Sequence, residues 1–300
     1  MVPFTAAHSV CFVLSPRGLR FCLTQFAGVV AMPGLAAELR PGEPLMDHRG
    51  QEEASKPTLR WLLGVSATSA GEYAGSDRRE LSHKVLFALR YGRFKLANSG
   101  SSSLLEFGVA PDESGASLDL LASSRWKLRA GLRIGGGQKS SDSSYLAGMP
   151  DVPESLLGRV TLGYLITPNF GVTGTLTSDL LGRGNGTTWS NSVDYRQRLG
   201  RDTEWRMGIG FTIGNASHMN SFYGVPLSAQ TPDRPAYQPG AGLKGAGVGV
   251  GFTSALSSRW IAFGGVSYNL LLGKAADSPL TRQNHDLAAT VGVAWRCCRL

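Results

Sequence analysis

The sequence predicts an all-β fold: a transmembrane antiparallel β-barrel of twelve strands, with ten as the alternative. Three observations lead there. Side chains alternate with period two over segments of about ten residues. One face of the alternation is bulky and apolar, while the other is glycine, small residues and arginine. Short joins between these segments alternate with long ones, as they do in outer-membrane barrels. Composition agrees, with 39 glycines in 300 residues and only 17% charged residues. No apolar run reaches the ~20 residues that a spanning helix needs.

The chain reads in three parts. Residues 1–37 are expected to be an export signal cleaved near 36/37. Arg17 and Arg20 supply its positive start, Phe21 to Met32 its apolar centre, and Gly34-Leu35-Ala36-Ala37 its small residues. Residues 38–57, polar and broken by proline, read as a flexible lead-in, and residues 58–300 as the barrel. Cys11 and Cys22 fall in the signal, which leaves adjacent Cys297 and Cys298 in the mature chain. Neighbouring cysteines on a strand diverge and rarely bridge each other. No C-x-x-C pair supports a zinc site, and no cofactor is implied. Without Arg17 and Arg20, 28 basic residues face 22 acidic ones, a mature charge of about +6. Basic chains commonly bind nucleic acid, but export argues against that partner, so the placement of the charge matters more than its sum.

The alternation identifies each strand. Trp61, Leu63, Val65 and Ala67 oppose Gly64, Ser66 and Thr68. In 124–134, Trp126, Leu128, Ala130, Leu132 and Ile134 oppose Arg125, Lys127, Arg129, Gly131 and Arg133. In 203–213, Trp205, Met207, Ile209, Phe211 and Ile213 oppose Arg206, Gly208, Gly210 and Thr212. Val248, Val250 and Phe252 oppose glycines, and Leu287 to Trp295 repeats the pattern. Successive side chains of a strand point to opposite faces. A bulky face turned to lipid and a small or polar face turned to a lumen satisfy this pattern. Closure is required because an open edge in lipid would leave backbone groups unpaired.

The predicted strands are 59–70, 82–97, 103–110, 116–122, 124–134, 155–166, 168–178, 188–199, 203–214, 244–256, 259–272 and 285–297. Short joins at 97–102, 123–125, 167–169, 200–203 and 257–259 are expected on the periplasmic side. Longer joins at 71–81, 135–154, 179–187, 215–243 and 273–284 fall opposite; only 110–116 is short for an outer loop. On this topology Trp61, Trp126, Trp205, Trp260 and Trp295 share the periplasmic interface as an aromatic belt, and Trp189 lies at the outer rim.

Four stretches then stand out: "GEYAGSD" (71–77), "SFYGV" (221–225), "PAYQPGAGLK" (235–244) and "LLGKAADSPL" (271–280). Through them, in this order, the chain resembles the MltA-interacting protein family, also called MipA/OmpV, over roughly residues 58–297. The matching loop residues are Tyr73, Gly75, Ser76, Tyr223, Gly224, Asp277, Ser278 and Pro279. The resemblance implies a Gram-negative outer-membrane barrel in contact with lipid. It also implies a non-enzymatic scaffold joining a murein-cleaving lytic transglycosylase to a murein synthase; other members are treated as porin-like or antigenic. It carries no catalytic residues. Members usually end on an aromatic residue, where "VAWRCCRL" has Cys297 and three residues more.

The remaining chemistry is sparse. His285, Ser278 and Asp277 can be written as a triad, but triads are defined by geometry and no G-x-S-x-G elbow accompanies them. His83 and His218 lack metal-ligand spacing, and His48 lies in the lead-in. "GAGVGVG" (245–251) is followed by no helix, so it is not a phosphate loop. The inward basic set is Arg90, Lys127, Arg129, Arg133, Arg159 and Arg206. It either draws anions into an open lumen or pairs with inward acids and fills the barrel. The short periplasmic turns offer a scaffold little docking surface.

Overall fold

The computed structural model describes residues 59–98, 114–200 and 202–297. Twelve strands form one closed up-and-down barrel in which each strand pairs with its neighbours in sequence and β1 with β12. They are β1 (Leu59–Gly71), β2 (Arg79–Tyr91), β3 (Phe94–Ala97), β4 (Gly115–Ala122), β5 (Trp126–Gly135) and β6 (Ser155–Leu165). The circuit continues through β7 (Phe170–Asp179), β8 (Thr187–Leu199), β9 (Thr203–Gly214), β10 (Gly242–Ala255), β11 (Trp260–Leu271) and β12 (His285–Arg296). One α-helix, α1 (Ala216–Tyr223), lies in the β9–β10 connection. No helix among the described residues is long and apolar enough to cross a membrane; the strands do so. Most have 10–14 residues, enough for the ~9–11 that a tilted crossing requires.

Leu63, Val65, Val85, Ile209, Val250 and Val291 all point outward and are exposed, and Ile134 is 77% exposed. Such a surface belongs in hydrocarbon rather than in water. The ladder closes at the β1–β12 seam, where Val65 opposes Val293 and Ser69 opposes Ala289.

The strand count agrees with the sequence, but its division around residue 92 does not. The segment read as a single strand 82–97 is two, β2 and β3, folded back at Gly92-Arg93. Gly92 adopts φ 58°, and Tyr91 pairs with Phe94. The join at 97–102 is therefore not a turn at that end; β3 runs away from it and pairs with β4. The predicted strand 103–110 lies outside the described residues, as do the export signal, the lead-in and His48. Cys297 carries a disulfide, which the cysteine spacing does not predict; its partner lies outside the described residues.

At the end with the short turns, Leu62, Leu86, Ala88, Ala97, Ile261 and Ala294 pack together inside the barrel, with Phe263 against them. These inward apolar residues come from β1, β2, β3, β11 and β12, so the lumen on the seam side is filled by carbon.

Candidate functional site: a loop cap and the lumen beneath it

The long connections at the other end fold over the barrel on a core of their own. Leu146 of the β5–β6 loop, Val225 of the β9–β10 loop and Leu280 of the β11–β12 loop are buried against one another, with Tyr73, Met149 and Tyr237 around them. In a ring of twelve, the β5–β6 and β11–β12 loops leave the barrel on opposite sides. Their contact means that the loops cross the mouth. A second cluster, Met219, Tyr223 and Ala275, anchors α1 beside Leu271.

Polar groups knit the same loops together. The Tyr73 hydroxyl donates to the Leu280 carbonyl (3.0 Å), and the Tyr145 hydroxyl to the Pro279 carbonyl (3.0 Å). Ser278 is buried; its hydroxyl donates to the Tyr223 carbonyl (2.6 Å) and accepts from the Leu280 amide (3.1 Å). The side chain thus closes its own turn and clamps the neighbouring loop. Arg234, also buried, donates to the carbonyls of Tyr145 (2.7 Å) and Ala147 (3.1 Å). Tyr237 donates to the Lys274 carbonyl (2.9 Å). The β7–β8 loop joins through Asn185, whose Nδ2 donates to the Pro153 carbonyl (2.9 Å).

Two glycines are dictated by this geometry. Gly75 has φ 105°, and a Cβ there would meet Thr281 Oγ1 at 3.1 Å. Its carbonyl accepts from the amides of Arg282 and Gln283 (2.8 and 3.0 Å). Gly224 ends α1, and a Cβ there would lie 2.3 Å from the Asn220 carbonyl oxygen. Ser76 accepts from the Arg78 amide (3.1 Å), closing the β1–β2 turn. Asp277 is exposed, with its amide donating to the Gly273 carbonyl (3.1 Å). The loop residues singled out by sequence therefore sit together in one cap, although they are scattered over two hundred positions.

Burial shifts the ionisable groups in the cap. It pushes the Tyr73 hydroxyl up to about 12, with nearby Tyr145 and Asp77 adding to the effect. Burial also raises Tyr223. His218 falls to about 4, mainly because it is buried and secondarily because the Lys244 ammonium repels its charged form. Its Nδ1 lies 2.9 Å from the Asn185 carbonyl, which can only accept, so the neutral ring carries its proton there. Nε2 is buried without a partner among the described residues.

The lumen has two unlike walls. On the first, Asp119 of β4 accepts from Arg129 of β5 (2.6 Å) and pairs with Lys95 of β3 (3.1 Å). Arg133 follows four residues beyond Arg129, donating to Ser114 Oγ (3.4 Å), and Arg159 faces Gly131 from β6. Lys127 lies on the same face of β5, and Arg90 opposes Lys95 from β2. Five of the six basic residues predicted to face inward thus share β2–β6. Arg206 does not join them; it opposes Arg196 and Gly251 on β9. Asp119 and Lys95 were not anticipated. For Asp119 the signal was its alternation with Ser117 on the predicted strand 116–122; for Lys95 it was hidden by the undivided segment 82–97.

The second wall, from β7 to β11, is lined by hydroxyls and by glycines such as Gly247, Gly249 and Gly210, and encloses a cavity of about 770 Å³. The five predicted tryptophans all sit at the turn end of their strands. Trp61 and Trp295 meet at 4.8 Å, Trp126 packs on Tyr164 at 4.5 Å, Trp205 on Tyr195 at 5.6 Å, and Trp260 pairs with Trp295 across β11–β12. Trp189 lies at the opposite end, paired with Ile213.

No hydrogen bond links Ser278, Asp277 and His285 among the described residues: Ser278 is committed to Tyr223, and the His285 ring lies 3.2 Å from Asn284 Oδ1. No cluster of metal-ligating side chains occurs among the described residues.

The family model described as MltA-interacting protein MipA matches residues 63–297, and the chain belongs to that family. Among curated proteins nothing matches. Several solved barrels are similar. The NanC porin is 10% identical, covering 78% of this chain and 98% of its own, with a TM-score of 0.38. The KdgM porin in complex with disordered oligogalacturonate is 9% identical, covering 78% and 98%, with a TM-score of 0.40. An outer membrane channel from Pseudomonas putida F1 is 11% identical, covering 80% and 96%, with a TM-score of 0.44. The protein is a β-barrel of the Gram-negative outer membrane, with its loop cap at one end and its short turns at the other.

Proposed function

We propose that this MipA-family barrel is a non-enzymatic scaffold at the cell envelope, linking a murein-cleaving lytic transglycosylase to a murein synthase. The observation that carries the reading is obstruction at both ends. Loops from opposite sides of the ring pack over the outer mouth, and apolar side chains fill the seam side at the periplasmic end. Loops packed across the axis and carbon filling the seam side both oppose free passage. The family description, an MltA-interacting protein, supports a lytic transglycosylase as partner. On this reading residues 1–37 are an export signal, and the polar lead-in 38–57 supplies docking surface that the short turns lack.

The test pairs two measurements on the full chain. Reconstituted in a planar bilayer, it should pass no steady current above background. Immobilised in detergent, it should retain a lytic transglycosylase, and removal of residues 38–57 should weaken that retention. Steady current with no retention overturns the reading. The second reading, a small anion-favouring pore, is supported by the basic wall of Lys127, Arg129, Arg133 and Arg159. It requires anion selectivity that falls in Arg129→Ala or Arg133→Ala.

A further inference from the structure

We propose that the cavity against the glycine-rich wall is a binding site for a small hydroxylated carboxylate, a sugar acid in chemical class, anchored by Lys244. This inference does not depend on the scaffold reading, since a capped barrel can hold a ligand without conducting.

The argument starts from a defect in the alternation. β10 pairs with β9 through Leu243–Ile213 and then Gly245–Thr212, which leaves Lys244 as an extra residue. A bulge of this kind re-aims a side chain that regular pleating would constrain. Lys244 lines the cavity. It is close enough to Arg133 of the facing wall and to His218 of α1 for its charge to act on both. Among the described residues its ammonium makes no hydrogen bond and no ion pair. A cation held among like charges, with a void in front of it, favours an anion there.

The rest of the lining sets the ligand's other chemistry. Thr173 and Thr175 of β7, Ser190 and Ser192 of β8, Thr212 of β9 and Ser267 of β11 all face the void. Some of these hydroxyls already bond one another, as Ser190 does with Thr212 (2.9 Å). A hydroxyl has one donor and two acceptor positions, so each keeps capacity for a further partner. Beside them, Gly245, Gly247 and Gly249 of β10 contribute backbone to the lining, and at Gly249 the nearest atom to a Cβ would lie 3.6 Å away, which leaves room there for a sugar ring. Asp286, the carboxylate in the lining, accepts from the Gly71 amide (3.2 Å) and pairs with Arg79 (3.7 Å). Both contacts engage it toward β1 and β2, and the Asp194 carboxylate is engaged by Ser192 (2.8 Å), while Lys244 is the cation of the lining. About 770 Å³ falls in the range of small-molecule sites.

Equilibrium binding to the detergent-solubilised full chain tests this with three probes: D-glucuronate, D-glucose and acetate. Glucuronate carries both the charge and the hydroxyls, and each of the others carries one. The expected result is binding of glucuronate at least tenfold tighter than of glucose or acetate. Lys244→Met should weaken glucuronate about tenfold or more and leave glucose unchanged. Lys244→Gln repeats the test if the methionine variant fails the heat-modifiable mobility check for a folded barrel. Lys274→Met, in the cap, is the control and should bind as wild type. Equal binding of glucuronate and glucose, undiminished glucuronate binding in both Lys244 variants, or no binding of any probe overturns the proposal.

Discussion

The two walls of the lumen share one sheet, pleat and closure, yet one is crowded with charge and the other encloses a void. On β3–β5 the long side chains of Lys95, Arg129 and Asp119 fill the space they enclose and satisfy one another. On β9–β11, Gly210, Gly247 and Gly249 send nothing inward, and the space stays open. Topology therefore does not decide whether a small barrel is filled; the inward half of each alternation does. A filled wall needs internal charge balance, because a buried charge without a partner is costly. An open wall needs only hydroxyls that can be satisfied by water or by a ligand.

The comparison can be broken most severely at Asp119. Asp119→Ala removes the carboxylate that both Lys95 and Arg129 bond, and should cost about 3–5 kcal/mol in urea unfolding of the refolded barrel. A loss below about 1 kcal/mol would mean that the basic wall is no more interdependent than the glycine wall. The next largest effect concerns the roof of the open wall. His218 has its proton affinity lowered from 6.5 to about 4, so the unfolded loop takes up a proton before the packed one does. The packing is fully favoured above pH 6.5 and weakens as pH falls toward about 4, by at most about 3 kcal/mol. Protection factors of the amides in 215–241, corrected for the intrinsic pH dependence of exchange, should fall over that window, and His218→Gln should flatten the response.

Two glycines of β10 sharpen the contrast within the open wall itself. A Cβ on Gly245 would lie 2.3 Å from the Leu270 carbonyl oxygen, which is backbone and cannot step aside. Gly245→Ala should therefore cost about 1–3 kcal/mol. At Gly249 the nearest atom would be Ser267 Cβ at 3.6 Å, an ordinary contact. Gly249→Ala should change stability by less than about 0.5 kcal/mol, and paired unfolding curves check both. Equal costs at the two sites would show that the wall is uniformly crowded rather than open.

Most of the barrel was legible in the sequence because lipid imposes strict alternation over each crossing. The departures from it were also written there, as changes of phase. The outward apolar set is odd-numbered through Leu89 and Tyr91, then even-numbered from Phe94. It is odd at Leu243 and even from Val248. The first phase change is a chain reversal at Gly92 and the second is the bulge at Lys244. Pattern alone does not distinguish a turn from a bulge, since each displaces the alternation by one residue. The partners within the basic wall were lost with the first of these, because Lys95 was placed on the wrong strand. Several residues of the cap stood out in the sequence, but their meeting was not readable there. Tyr73, Tyr145, Tyr223 and Leu280 meet only because twelve strands close into a ring, and no local spacing encodes that meeting.

The cap also spans the line where the first strand meets the last. Gly71 and Arg79 bond Asp286, Tyr73 bonds Leu280, and Gly75 bonds Arg282 and Gln283, all across more than two hundred residues of chain. Contacts so distant in sequence form late, because the intervening chain must first be ordered. The clasp over the mouth therefore cannot assemble ahead of the cylinder beneath it. The loop that Tyr73, Tyr145 and Tyr223 all grip lies between the final two strands, so an intact cap records that the circuit of strands has been completed.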